Sequence, residues 1–161
     1  MGTVQATLKK KGGRRSTRSR RLAEPKVSKA KLQELLDRAL AEVDADEEAG
    51  SLLRATGLRA RLRIRDVGLV LYVESSEQGD HHLWWTFSEP ADREAKLELT
   101  MDSQSANAYL QGRQSLAIAM ARNRVRVKGD TRCALHYLPA MRVVVNAYRR
   151  LVRRDYPELV V

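Results

Sequence analysis

Lys96-Leu97-Glu98-Leu99-Thr100-Met101-Asp102-Ser103 opens the stretch that decides the fold, which runs on to Met141. Leu97, Leu99 and Met101 alternate with Lys96, Glu98 and Thr100, the period-2 pattern of a half-buried strand. Asp102 and Ser103 then offer side-chain oxygens to the orphan N–H groups of a helix start. The spacing predicts a helix from Ser105 to Gln111, stopped by Gly112, and a second from Gln114 to Ala121. In Asn123 to Gly129, Val125 and Val127 alternate with Arg124, Arg126 and Lys128, which is another strand. A last apolar segment runs from Thr131 to Pro139. Strand, two helices, strand, helix predicts an α+β layer pair with the helices on one sheet face.

Upstream, Leu58, Ala60, Leu62 and Ile64 alternate with Arg59, Arg61, Arg63 and Arg65. Leu69 to Glu74 and Leu83 to Phe87 follow at short intervals, the mark of an antiparallel meander. The sheet should therefore have five strands, mostly antiparallel. Its arginines, with Arg124, Arg126 and Lys128, should stand on the face away from the helices, partly neutralised by Glu74, Glu94 and Glu98. Further upstream, Ser28 opens a helix whose stripe is Leu32, Leu35, Leu36, Ala39, Leu40 and Val43. The acidic run Asp44 to Glu48, followed by Gly50, is expected to end that helix as a solvated loop. At the other end, Pro139 should break or kink the helical run. Beyond it Met141, Val144, Val145, Tyr148, Leu151 and Val152 form one face of a final amphipathic helix, suited to core packing, to lidding a tunnel or to lying on a membrane surface.

The ordered set Leu97-x-Leu99-Thr100-Met101-Asp102, a helix ending at Gly112, an aliphatic helix, and Arg124-Val125-Arg126-Val127-Lys128-Gly129-Asp130 resembles the sterol carrier protein type-two (sterol-transfer) family. The likeness spans about Leu58 to Leu138. Asn123 stands where the family has a glycine, and Arg132 and Cys133 where it has small apolar residues. The resemblance implies a non-enzymatic domain that encloses a sterol-like or fatty-acyl lipid in an apolar tunnel between sheet and helices. Expected lining residues are Trp85, Phe87, Leu99, Met101, Leu110, Leu116, Ile118, Met120, Val125, Val127, Leu135, Leu138 and Met141. Methionine adapts to ligand shape, and burial alone contributes ~0.8 kcal/mol per CH₂. The same side chains also suit a closed core. A cavity of at least about 300 Å³, the low end for ligand pockets, separates the two.

Charge divides the chain. Residues 1–31 hold eleven Lys and Arg against Glu24, while the other 130 residues carry 19 of each sign. Residues 1–27 are expected to be a disordered basic tail, because they offer too little apolar surface to offset chain entropy, and residues 28–161 the lipid-binding domain. Lys9, Lys10, Lys11, Arg14, Arg15, Arg18, Arg20 and Arg21 would give the tail an anionic partner, either a membrane surface or nucleic acid. The rival is a tail that merely solubilises. Cys133 is the only cysteine, so no intramolecular disulfide forms. No run of 18 apolar residues suggests a membrane span, and a cytoplasmic protein is the expectation.

Catalytic and metal signals are weak. Cys133 and His136, three apart in an apolar segment, are expected to pack rather than react. His81 and His82 fall in a hairpin where neighbours point to opposite faces, which argues against a metal site. Phosphate-loop, zinc and hydrolase motifs are absent, so no cofactor is expected.

Overall fold

The computed structural model describes residues 27–161. Its elements are α1 (Lys29–Ala45), α2 (Glu47–Ala55), β1 (Arg59–Ile64), β2 (Leu69–Ser75), β3 (Leu83–Thr86) and β4 (Leu97–Met101), then α3 (Ser103–Leu110), α4 (Leu116–Ala121), β5 (Val125–Gly129), α5 (Thr131–Ala140) and α6 (Arg142–Asp155). The strands lie in the order β3-β2-β1-β4-β5. Only β1 and β4 pair in parallel, Leu62 opposite Leu99; the other pairs are antiparallel. The alternation in β1 fixes which face is buried. Ala60, Leu62 and Ile64 meet Val73, Leu71 and Leu69 of β2 on the face that the helices cover.

Most of the helices start where a short polar side chain accepts a free N–H, although α4 and α6 have no side-chain cap. Ser28 caps α1, Asp102 caps α3 and Asp130 caps α5. Val27, just outside the α1 cap, is 1% exposed and shares the core with Leu32, a hydrophobic staple that fixes the entry of the chain. The core therefore begins one residue before the expected domain boundary. α6 lays Val144, Ala147, Tyr148, Leu151 and Val152 inward and packs along α1.

One expectation is corrected here. The run from Asp44 is not a solvated loop. Asp44 accepts from the backbone N–H groups of His82 (2.7 Å) and Leu83 (2.9 Å), and Asp46 caps α2 through the N–H of Ala49. The acids thus tie the β2–β3 hairpin down and start a helix that periodicity missed. Pro139 does interrupt the final helical run, as expected. It sits in the last turn of α5, which ends at Ala140, and a separate helix, α6, starts after Met141.

The outer face carries the expected arginines, with a cover. Arg61 and Arg63 each approach Glu98 at 3.1 Å. Burial would raise the Glu98 carboxyl, but the two guanidiniums outweigh it and hold it below the usual range. The loop after β3 folds back here: Glu89 pairs with Arg63, and Arg93 bonds Glu74 while stacking 4.2 Å over Trp84. Beneath it Tyr72 is fully buried. Gly129 closes the far margin of the sheet with φ +116°; a Cβ there would lie 2.1 Å from the Lys96 carbonyl oxygen, so β4 and β5 meet only because no side chain intervenes.

A candidate lipid site beneath α5

Between sheet and helices lies a cavity of about 50 Å³. Its floor is Ala60 and Leu62 of β1, Leu71 and Val73 of β2, and Leu97 and Leu99 of β4. Leu36 and Leu40 of α1, and Tyr109 and Leu110 of α3, form the sides. Tyr137 and Leu138 of α5, Met141 after it and Val144 of α6 form the roof. These elements converge because each turns its apolar stripe to the same side of the sheet. The space is far below the ~300 Å³ that a small-molecule pocket begins at, so a tunnel of ligand size is not open.

The roof is the least anchored wall. α5 buries only Tyr137 and Ala140 over ten residues, and Pro139 supplies no N–H. One strap crosses it: the Tyr137 hydroxyl donates to the Gly57 carbonyl at 3.1 Å. Burial, then the neighbouring Cys133, push the Tyr137 phenol up to about 12, and burial also raises Tyr109. Both phenols are therefore neutral at physiological pH.

A larger cleft of about 380 Å³ opens on the other face, lined by Arg59, Glu74, Trp84, Arg93 and neighbours. It is polar and solvent-open, and two of its charged groups, Arg93 and Glu74, pair with each other. The apolar cavity is the better candidate for a lipid.

The model of the SCP-2 sterol transfer family matches residues 32–142. The chain belongs to that family. The match begins in α1 and ends just past the roof helix, so every wall of the cavity except Val144 falls within the SCP-2 region. Solved structures agree on the fold. The solution structure of sterol carrier protein domain 2 of Helicoverpa armigera aligns at TM-score 0.58 and 10% identity, over 76% of this chain and 95% of that one. A possible sterol carrier protein from Thermus thermophilus aligns at 0.54 and 15% identity, over 74% and 87%. The chain also matches 15% of the length of the inverting sec-alkylsulfatase Pisa1 from Pseudomonas sp., at TM-score 0.49 and 12% identity over 63% of this chain; that likeness carries no argument. No curated protein matches the sequence.

Of the expected lining residues, the structure brings Leu99, Leu110, Leu138 and Met141 to the cavity. Met101 and Val125 are buried in solid core. Trp85, Phe87, Leu116 and Val127 pack against the core without reaching the cavity. Trp85 instead donates its indole N–H to Asp37 of α1 at 2.8 Å. Ile118, Met120 and Leu135 are corrections: they are 52%, 47% and 76% exposed. In six-residue α4 the buried position is Ala119, so its larger neighbours fall outside. His136 is exposed as well, contrary to the expectation that it packs. The basic residues Lys9, Lys10, Lys11, Arg14, Arg15, Arg18, Arg20 and Arg21 lie outside the described residues.

The α1 lining was overlooked because Leu36 and Leu40 sit in an ordinary helical stripe. Their signal, visible only in three dimensions, is that they face Tyr137 and Leu138 across a gap. Also unforeseen was a buried polar cluster: Asn107 and Gln111 both donate to the Leu159 carbonyl (2.9 and 2.8 Å), and Tyr148 donates to Asn107 at 3.1 Å. Among the described residues no group of His, Cys, Asp and Glu could hold a metal ion, and no helix is long and apolar enough to cross a membrane.

Proposed function

We propose that this protein is a non-enzymatic carrier that takes up one sterol-like or fatty-acyl lipid between α5 and the sheet. The observation that carries the reading is the predominantly apolar cavity under the weakly held α5, in a chain of the SCP-2 sterol transfer family. Ligand enters by lifting α5 and widening the cavity into the tunnel the family likeness implies. Each methylene moved from water contributes ~0.8 kcal/mol, so a long acyl chain offsets the loss of the few contacts α5 makes. The neutral Tyr109 and Tyr137 hydroxyls are suited to orient a polar head. The basic tail, residues 1–27, would bring the carrier to an anionic surface, since Lys and Arg near such a surface contribute ~1 kcal/mol each.

The test is displacement of a fluorescent fatty acid from the full-length chain, alongside Leu99→Trp, which fills the floor of the cavity. Saturable binding that Leu99→Trp removes, with the fold kept, supports the proposal. Absence of saturable binding, or binding indifferent to Leu99→Trp, contradicts it.

A further inference from the structure

The near-balance of charge in the domain conceals a second segregation. From Ser103 to Arg154 eleven Arg and Lys stand against Asp130 alone, whereas residues 27–102 carry ten bases and sixteen acids. Asp130 is occupied as the cap of α5, accepting from the N–H of Arg132. On α6, Arg150 and Arg154 have carboxylate partners. Arg122, Arg124 and Arg132, all exposed, form no ion pair among the described residues.

The same region exposes aliphatic side chains that a folded domain ordinarily keeps in. Ile118 and Met120 on α4 and Leu135 on α5 are about half to three-quarters exposed. α4 packs on the edge strand β5, and α5 follows that strand directly and packs on β4. Ile118 is four residues before Arg122, and Leu135 three after Arg132, so on each helix an exposed aliphatic lies about one turn from an unpaired arginine.

We infer that the α4–β5–α5 margin of the domain is a docking surface for an anionic lipid bilayer. Ile118, Met120 and Leu135 enter the acyl boundary while Arg122, Arg124 and Arg132 meet headgroup phosphates. The pairing of bulky aliphatics with unpartnered arginine distinguishes this partner from nucleic acid, for which aromatic side chains that stack on bases would be expected; no exposed aromatic belongs to the patch. The surface adjoins the roof of the cavity, because Leu138 of the roof is one turn from Leu135. The inference deepens the carrier reading by naming where its cargo is exchanged, yet docking itself needs no cargo.

The test is co-sedimentation of the cargo-free, full-length chain with vesicles of phosphatidylcholine alone or of phosphatidylcholine mixed with anionic phosphatidylserine. Binding should favour the anionic vesicles. Replacing Arg122, Arg124 and Arg132 by Gln should lower the partition coefficient on the order of a hundred-fold, about five-fold per arginine engaged. Replacing Ile118, Met120 and Leu135 by Ser should also weaken binding and leave a remainder that salt abolishes. A control changing Lys29, Arg59 and Arg65 to Gln should lose less than either. All six patch residues are exposed, Ile118 and Met120 about half so, and melting temperatures near the parent's are required to show that each variant keeps the fold. With Lys9, Lys10, Lys11, Arg14, Arg15, Arg18, Arg20 and Arg21 changed to Gln, binding through the patch should persist. The inference is overturned if the parent ignores anionic vesicles, if both patch variants bind like the parent, if neutralising the tail removes all binding, or if the patch variants lose DNA binding but not vesicles. Fatty-acid displacement in solution is scored separately, so failure of docking and failure of the carrier reading are distinct results.

Discussion

Gly50 sits inside α2, where replacement by alanine should help by the helix scale: Gly costs ~1 kcal/mol relative to Ala in a helix interior. The neighbourhood reverses the sign. An added Cβ would lie 2.3 Å from His82 Cδ2, 2.7 Å from Cγ and 3.0 Å from its Cβ. His82 cannot simply swing away. It is 6% exposed, its backbone N–H is held by Asp44 at 2.7 Å, and its Nε2 lies 3.1 Å from Glu47. Restoring ordinary contact needs a shift of about 1 Å of ring or helix, and overpacking of this kind costs ~1–3 kcal/mol. Gly50→Ala should therefore be destabilising by about 1 kcal/mol net, a fall in Tm of roughly 3–5 °C for a domain of this size. Thermal melting and urea unfolding followed by circular dichroism read it. His82→Ala in the same background removes the obstacle, so the double-mutant cycle should show coupling of at least ~1 kcal/mol. A more stable Gly50→Ala with no coupling to His82 would refute the packing of α2 on the hairpin.

Other outcomes are expected. Tyr137→Phe removes the strap to Gly57, which should lower stability by about 1 kcal/mol and speed release of a bound fluorescent fatty acid in stopped flow; slower release would contradict a moving roof. His81 Nδ1 lies 2.7 Å from Asp44, whose hydrogen bond and charge raise the imidazole above its ordinary 6.5. Burial would raise the Asp44 carboxyl, but His81 and the hairpin N–H groups hold it below its ordinary 3.8. The His81 contribution is present below pH 6.5 and fades as pH rises through its raised value. The Asp44 contribution is present above pH 3.8 and fades as pH falls through its lowered one. Urea midpoints should thus lose stability on the alkaline side in the parent and not in His81→Ala; parallel curves would dismiss the pair.

The sheet was legible because its pattern is local. Four arginines alternating with Leu58, Ala60, Leu62 and Ile64 permit one inward face, and the short gaps permit a meander. The starts of α1 and α3 were legible for the same reason, since the capping oxygens of Ser28 and Asp102 act three residues away. What escaped required distant partners. Nothing near Asp44 announces that its carboxylate holds two N–H groups 38 and 39 residues on. Gly50 looked like a helix end because its reason for lacking a side chain is His82, 32 positions away in the chain. The phase of α4 was misjudged because six residues give too little periodicity to choose Ala119 over Ile118. Cavity lining was least legible of all: Leu99 at the gap and Met101 in solid core have the same chemistry and differ only in what lies across from them.

The central claim is that a lipid can occupy the space under α5. Native mass spectrometry of the full-length protein after incubation with a long-chain fatty acid tests it most directly. The account predicts a complex with one added ligand mass that Leu99→Trp abolishes without loss of the native charge-state distribution. A parent that shows no complex, or a Leu99→Trp variant that binds as well as the parent, would contradict it.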